Sequence, residues 1–308
     1  LIASVSYFTI HMRRLKNRYK KMEEMNDTLQ YEVMRQTNML RLQSEELRQK
    51  NEGLRSEIVY ASKLQQDVLP DESKLDIPSI VGHFILHKPC DMISGDFYWI
   101  GTIDNKLLLC CGDATGHGIP GTFVAMVCTT ILNDQLYTLE EKTPLALING
   151  LDKNIGLVLQ NNEDVQINDS VDLSMFCIDI NTGEAVAVLA RHKLYIVNKD
   201  GEVTSVTGIK RSVGDTDVKI LQRDFEEVKI DLQDGDAVYL TTDGFESQFG
   251  GPTNTKMKRK NMLEKFVEIR NMPMSEQREV LNNYFEEWKG NNEQTDDVLV
   301  IGLRIKKS

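Results

Sequence analysis

The feature that most limits how this chain folds is a stretch of about fifty residues without a proline, from Lys20 to Leu69. It contains one glycine, Gly53, and is rich in Glu, Gln, Arg, Asn, Met and Leu, most of which favour helix. The stretch is too polar for a helix that is buried on all sides. It therefore predicts one long helix outside the globular core.

Apolar residues recur every seven positions in this helix. Placed at heptad position d, these residues form a regular stripe, whereas position a is mostly polar. The residues at position d are Val33, Leu40, Leu47, Leu54, Ala61 and Val68, and those at position a are Thr37, Ser44, Asn51, Ile58 and Gln65. This pattern is typical of a parallel two-stranded coil of modest stability, in which a buried Asn sets the register. We expect a dimeric coiled coil over residues 21–69 and hence a homodimer. A single solvated helix is the alternative.

The first twenty residues have two interpretations. Leu1 to Ile10 is apolar apart from two serines and a threonine, and six basic residues follow between Arg13 and Lys21 without an acid among them. Ten residues cannot cross a bilayer, which needs about 20. Residues 1–20 are either the cytoplasmic end of a membrane helix with its basic flank, below an upstream sensor, or an amphipathic start to the coil. Because the chain does not begin with Met, we expect it to be part of a longer, cytoplasmic-facing protein.

A connector and a second domain follow the coil. Pro70 ends the helix, and the composition of residues 70–78, PDESKLDIP, predicts a linker. In residues 79–308, strand and helix signals come in blocks, which indicates an α+β domain with mainly antiparallel sheets and enough strands for two. Strands are predicted at residues 81–87, 96–100, 106–111, 173–180, 185–190, 194–197, 203–206, 218–230, 237–242 and 298–305, and helices at 122–136, 144–159, 261–270 and 275–288.

The net charge of the chain limits the classes of molecule that it can bind. A formal net charge of -11 argues against a nucleic-acid binder that neutralises phosphates over a broad basic face. We expect proteins or small ions as partners, and no nucleic acid. The one dense basic run of the second domain, KMKRK at residues 256–260, either docks an acidic face of a phosphoprotein or is the charged start of a helix.

Four short motifs, SGDF, GDATGHG, TDG and TDD, place an aspartate where an apolar strand meets a turn. Carboxylates in such places are costly to bury without a positive partner, and Mg²⁺ and Mn²⁺ prefer oxygen ligands. Any one motif is weak evidence, because Asp-Gly is a common turn. Together they predict a metal centre that contains Asp96, Asp113, Asp243 and Asp296.

The stretch from Leu107 to Pro120, LLLCCGDATGHGIP, is the most specific. A buried strand runs into Asp113 and then into a loop in which Gly116 and Gly118 allow close backbone approach to a ligand. With SGDFYWI at residues 94–100, LTTDGFES at 240–247 and QTDDVLVIGL at 294–303, it resembles the metal-dependent (PPM) serine/threonine phosphatases of the stage II sporulation E (SpoIIE) type.

The resemblance covers about residues 79–305. It implies two packed β-sheets flanked by helices, an αββα sandwich, with a centre of two Mg²⁺ or Mn²⁺ ions at one end. It also implies the ligands: Asp113 bridging both ions, the carbonyl of Ala114 on one of them, Asp243 and Asp296 on the other, and Asp96 binding or orienting the second ion directly or through water.

The same resemblance implies that a metal-activated water attacks phosphorus in line, without a covalent enzyme intermediate. His117 stands four residues after Asp113 and is a candidate general acid or a support for that water, because imidazole titrates near neutrality. A histidine that only structures the loop is the alternative. Asp297 is expected to support a ligand without binding metal itself.

Three further residues lie at positions that are characteristic of the family, and two of them, Arg191 and Asp172, each have two interpretations. His192 matches a Gly-His pair of the family, and Arg191 departs from it by standing where the glycine is more common. Arg191 either contacts phosphate through its guanidinium or lies in a solvated turn. Asp172 matches an acidic position in related chains, with either a metal-proximal or a structural role.

The sequence thus predicts a protein serine/threonine phosphatase of bacterial signalling that hydrolyses a phosphorylated protein. The resemblance suggests a phosphorylated anti-sigma-factor antagonist as substrate. We expect the coil to regulate the metal site through the link at residues 70–77. Two alternatives are an inactive phosphatase-fold binding module, which the presence of all four aspartates disfavours, and a coil-linked nucleotidyl cyclase, whose expected motifs are not found around Asp113.

Overall fold

A computed structural model describes residues 2–116, 118–159 and 170–307 of the chain. It opens with a helix of 67 residues, α1 (Ile2–Val68). Contacts divide the chain into two compact units, Leu1–Val59 and Tyr60–Ser308, so the last turns of α1 belong to the second unit. Among the described residues, no helix is both long and apolar enough to cross a membrane.

After the last turns of α1, the second unit continues with a 3₁₀ turn at Glu72–Leu75. Its strands and helices then alternate in blocks. The strands are β1 (Ile80–Lys88), β2 (Asp96–Ile103), β3 (Lys106–Ala114), β4 (Val171–Asp179), β5 (Ala185–Ala190), β6 (Lys193–Val197), β7 (Val203–Thr207), β8 (Glu227–Ile230), β9 (Ala237–Thr241), β10 (Phe249–Gly250), β11 (Thr255–Lys256) and β12 (Val298–Ile305). The helices are α2 (Ile119–Thr138), α3 (Pro144–Leu159), α4 (Val218–Leu221), α5 (Gly244–Ser247), α6 (Lys258–Ile269) and α7 (Met274–Lys289).

Two antiparallel sheets of five strands form the centre of this unit. The first sheet has the order β1-β12-β9-β6-β7 and the second the order β2-β3-β4-β5-β8, while β10 and β11 form a separate hairpin. Side chains alternate between the two faces of a strand, which explains the nearly unbroken apolar sequence of β3. Leu107 and Leu109 pack between the sheets, whereas Leu108 and Cys110 pack under α2 and α3.

Helices cover the outer face of each sheet. Leu132 of α2 and Leu151 of α3 lie in the apolar layer outside the second sheet. Phe266 of α6 and Phe285 of α7 lie in the corresponding layer outside the first. The predicted αββα sandwich, preceded by a long helix, is confirmed.

One predicted strand was wrong in part. Residues 218–230 form the short helix α4 and, after a break, the strand β8, because the side chain of Asp217 accepts a hydrogen bond from the Lys219 amide at 2.9 Å and caps a helical turn. The short elements α5, β10 and β11 were not predicted. Leu75, within the segment predicted as a linker, is fully buried between the sheets.

Candidate metal centre

Three neighbouring strands of the second sheet bring aspartates side by side. In the β2–β3 pairing Asp96 stands opposite Asp113, and in the β3–β4 pairing Asp113 stands opposite Asp172. Side chains two residues apart share a face, and Tyr98 and Cys111, each two residues away from one of these acids, lie between the sheets. The three carboxylates therefore face the space between the sheets, at the end of the core.

The first sheet contributes the other two aspartates at the same edge. Asp243 follows β9 and Asp296 precedes β12, and these strands pair so that the end of one lies beside the start of the other. A Cβ atom on Gly244 would lie 1.8 Å from the Asp297 carbonyl oxygen, so only glycine permits this approach. Thr242 joins the sheets, because its Oγ1 donates to Oδ2 of Asp96 at 2.6 Å.

Burial and mutual repulsion disfavour the charged forms of these acids. Burial, followed by repulsion from Asp113, raises the pKa of Asp96 well above its usual range, against a lowering by the Thr242 hydrogen bond. Burial, followed by repulsion from Asp243 and Asp296, raises the pKa of Asp113 to about 8. Among the described residues, no basic side chain forms an ion pair with Asp96 or Asp113.

The chemistry of this cluster fits hard divalent cations. Buried carboxylates that repel one another are stabilised by positive charge, and their oxygens are the ligands that Mg²⁺ and Mn²⁺ prefer. In the described part of the chain, no three His, Cys, Asp or Glu side chains already stand at the spacing of a metal-ligand set. Repulsion between the carboxylates, which raises their pKa values, also favours a larger distance between them, and this is consistent with the absence of such a set in the described residues.

The other two residues predicted for the centre are Ala114, which is the last residue of β3, and His117. The Ala114 amide donates to the Gly95 carbonyl at 3.3 Å, and a Cβ on Gly95 would lie 3.0 Å from the Ala114 carbonyl oxygen. The Ala114 carbonyl is therefore beside the SGD motif, and its role as a ligand stays a prediction. His117 lies outside the described residues.

Two buried side chains hold the loop that precedes Asp96. Asp297 is 4% exposed and accepts hydrogen bonds from the amides of Cys90 at 2.6 Å and Gly95 at 2.7 Å. Gln65, near the end of α1, donates to the Ser94 carbonyl at 2.6 Å and accepts from the Ser94 amide at 3.0 Å. Asp297 thus holds this loop through both carboxylate oxygens, and its role in supporting a metal ligand stays a prediction. The contact of Gln65 was missed, because the heptad pattern assigned this residue to the coil.

Arg191 and His192 form the turn between β5 and β6, where the chain crosses from one sheet to the other. Arg191 has a left-handed backbone with φ of 51°, and its Nη1 donates to Ser212 Oγ at 3.4 Å. His192 is buried, with Nδ1 2.9 Å from Ser174 Oγ. Ser212 in turn donates to Asp172. Burial raises the pKa of Asp172, while the Ser212 hydrogen bond and then the charge of Arg191 lower it.

A cavity of about 150 Å³ opens at this edge. Its lining combines acids, three basic side chains and hydroxyls: Asp113, Asp172, Arg191, His192, Lys193, Tyr195, Thr241, Thr242, Asp243, Glu246 and Arg259. Arg259 belongs to the basic run at residues 256–260 and forms two hydrogen bonds to Glu246, at 2.7 and 2.9 Å. Lys258 begins α6, so this run is a charged helix start.

Solved structures with the same fold include two phosphatase domains. The PP2C domain of SiaA from Pseudomonas aeruginosa has a TM-score of 0.73 at 24% identity, over 83% of this chain and 98% of that one. The PP2C phosphatase domain of SpoIIE from Bacillus subtilis, with a fragment of its regulatory domain, has a TM-score of 0.58 at 20% identity, over 73% of this chain and 63% of that one.

A third structure, the RsbU and RsbW domains of a Mycobacterium tuberculosis protein, has a TM-score of 0.59 at 18% identity, over 76% of this chain and 62% of that one. No curated protein matches the sequence significantly. The family model of stage II sporulation protein E (SpoIIE) matches residues 103–306, which is more than half of the 308 residues. This chain therefore belongs to the SpoIIE family of PPM-type phosphatase domains.

Proposed function

We propose that the chain is a metal-dependent protein serine/threonine phosphatase. The observation that carries this proposal is the gathering of aspartates from both sheets at one edge of the sandwich, with Asp113 opposite Asp96 and Asp172 in register. A binding module without activity has no need to keep buried carboxylates together, because their burial costs stability. The cavity beside Asp113 and Asp243 has room for a phosphoryl group.

In this proposal, Asp113, Asp243, Asp296 and the Ala114 carbonyl would hold two Mg²⁺ or Mn²⁺ ions, and Asp96 would bind or orient one ion directly or through water. When bound, the ions would supply Lewis acidity and activate water toward phosphorus at neutral pH. Thr242 positions Asp96 by its hydrogen bond. Asp297 positions the loop before Asp96 through the amides of Cys90 and Gly95. His117 is proposed as the general acid or as a support for the attacking water.

We also propose that α1 forms a parallel dimer. Its heptad d side chains are exposed in the single chain, Leu40 by 67% and Leu47 by 61%, and pairing would bury them. Gln65 offers a route from the coil to the site, because it bonds both polar backbone groups of Ser94, two residues before Asp96. A change in the end of α1 would then move the loop that precedes Asp96.

The natural substrate proposed here is a phosphorylated protein, with an anti-sigma-factor antagonist as the first to try. The domain plan is proposed as a coil over residues 21–69, a link at 70–78 and the phosphatase from 79 to 308. The protein would face the cytoplasm, with residues 1–20 at the cytoplasmic end of a membrane helix from a sensor, or at the start of the coil.

The test is hydrolysis of p-nitrophenyl phosphate and of a phosphoserine peptide with and without Mn²⁺. We expect activity only with metal, and a loss of about 100-fold or more in Asp243→Asn, because a ligand is removed. The matched control is Asp104→Asn, since Asp104 lies in the turn between β2 and β3 with φ of 51°, which Asn tolerates. Full metal-dependent activity in Asp243→Asn would contradict the proposed centre.

A further inference from the structure

We propose that Arg191 binds the phosphoryl group of the substrate, and the phosphate product, at the edge of the sandwich where the aspartates gather. The proposal rests on the proposed function and names a specificity residue for it. Arg191 stands where the resemblance places a glycine more often, and its φ of 51° is a conformation that glycine adopts without cost. A large charged residue kept in this conformation suggests that its side chain is used.

The strand register places Arg191 at the edge of the sandwich where Asp113, Asp172 and Asp243 gather, which we call the metal edge. Ala190, at the end of β5, pairs with Leu173, the neighbour of Asp172. Leu194, near the start of β6, pairs with Leu240, three residues before Asp243. The turn that carries Arg191 therefore bridges the two sheets beside aspartates from both of them, and its side chain lines the same cavity as Asp113.

Arg191 differs from two other arginines near this edge in how its guanidinium is occupied. Arg211 forms an ion pair with Asp152 and donates to the Arg223 carbonyl, and Arg259 is paired with Glu246. Within the described residues, Arg191 has no such ion pair, and the hydrogen bond from its side chain to Ser212 is long at 3.4 Å. A guanidinium has five N–H donors, so most of those of Arg191 remain available to a ligand.

His192 gives independent evidence for a ligand beside Arg191. It is 8% exposed, Nδ1 is bonded to Ser174, and Nε2 is buried without a hydrogen-bond partner among the described residues. A buried polar nitrogen without a partner is costly. When the Ser174 hydroxyl donates to Nδ1, Nε2 carries the hydrogen and can donate to a phosphoryl oxygen held by Arg191.

The chemistry of phosphate explains why a cation is needed at this position. A phosphoryl group approaching Asp113, Asp172 and Asp243 meets strong negative charge, which metal ions offset only in part. The planar fork of a guanidinium matches two phosphate oxygens, and its charge opposes that of the acids on the cavity wall. Arg191 would therefore hold the group in place without taking part in bond breaking.

The test compares Arg191→Gly and Arg191→Lys with wild type in binding of inorganic phosphate, measured by calorimetry with and without Mn²⁺. We expect phosphate to bind about tenfold or more weakly to Arg191→Gly, and Arg191→Lys to recover part of the loss. Because glycine suits this φ, we expect Arg191→Gly to fold and to unfold at no lower temperature than wild type. In hydrolysis of the phosphoserine peptide, KM should rise more than kcat falls.

The matched control is Lys258→Gly, which also removes an exposed cation from a left-handed backbone, with φ of 63°, but is not part of the cavity wall. It should bind phosphate as wild type does. Unchanged phosphate binding in Arg191→Gly, or no phosphate binding by wild type in either condition, would overturn the proposal. If wild type hydrolyses nothing but binds phosphate through Arg191, the proposed function fails and this inference stands.

Discussion

Strand β4 carries an aspartate near each end, and the pKa values of the two carboxyl groups are shifted in opposite directions. Asp172, at the metal edge, is half-buried, and burial is the main cause that raises its pKa. Asp179, at the other end, accepts hydrogen bonds from the amides of Thr182 at 2.8 Å and Asn181 at 2.9 Å, which lower its pKa. Backbone amides thus stabilise the charged form of Asp179 at one edge, whereas burial disfavours the charged form of Asp172 at the other.

This difference shows that the role of an aspartate at a strand end depends on the groups around it. At the far edge, a carboxylate that caps a turn stabilises the local fold. At the metal edge, the acids face one another across paired strands, so the fold bears a cost that a functional ligand would offset. The contrast between the two edges can be tested with the same substitution at each.

The largest expected effect is that of Asp113→Asn compared with Asp179→Asn. Asp113 is the proposed bridge between ions, so Asn at this position should reduce metal-dependent hydrolysis about 100-fold or more. Asp179→Asn keeps one oxygen acceptor for the turn and should change activity less than about twofold. Steady-state hydrolysis of p-nitrophenyl phosphate with Mn²⁺ checks both variants. Equal losses would remove the distinction between the two edges.

The next effect concerns buried aspartates that bond only to backbone. Asp297→Asn cannot accept from both the Cys90 and Gly95 amides, so we expect about 10-fold to 100-fold weaker activation by Mn²⁺. Asp236 is equally buried, at 4% exposure, but lies at the far edge and accepts from the Gln233 amide at 2.7 Å. Asp236→Asn should lower stability by about 1–3 kcal/mol and leave the Mn²⁺ titration unchanged.

A third prediction concerns pH and stability in the metal-chelated protein. The folded-state pKa of Asp113, about 8, lies above its ordinary value of 3.8, so between these values the folded chain keeps a proton that the unfolded chain has lost. The free energy of unfolding should therefore fall as pH rises, with a slope of up to about 1.4 kcal/mol per pH unit. Urea unfolding in chelator at several pH values measures it.

Asp113→Asn should flatten this slope, and a slope unaffected by the substitution would contradict the raised pKa. Asp179 has the opposite sign. Because its pKa is lowered in the folded state, it supports folding above its ordinary pKa and loses this contribution as pH falls. The two edges should thus respond to pH in opposite directions.

The smallest effect is expected from Gln65→Ala, which acts on the metal edge from α1. Removing this side chain leaves the Ser94 amide without its partner, while the Ser94 carbonyl keeps the hydrogen bond from the Thr122 hydroxyl at 3.0 Å. The loss should cost about 1–3 kcal/mol of stability and lower activity roughly tenfold. Gln49→Ala, on the exposed part of the same helix, should do neither. Thermal unfolding and peptide hydrolysis measure the pair. An active, stable Gln65→Ala would exclude Gln65 as the link to the coil.

Much of the architecture could be predicted because its signals are local. Predicted strands at residues 185–190 and 298–305 coincide with β5 and β12, since apolar alternation and turn residues mark them. Residues 218–230 could not be assigned so simply, because the side chain of Asp217 caps a short helix at the start of the segment predicted as a strand. The 3₁₀ turn and buried Leu75 were missed because nothing in PDESKLDIP indicates burial.

The sequence by itself determined the long helix, the α+β sandwich and the aspartates that carry the proposed chemistry. These features depend on periodicity and short motifs, which involve residues close together in the chain. Tertiary structure alone decided which aspartates meet. The register of β2, β3 and β4 brings Asp96, Asp113 and Asp172 together, and leaves Asp179 of the same strand at the other edge. It also decided the places of Gln65 and Arg191, since burial, repulsion and hydrogen-bond partners depend on residues far apart in the chain.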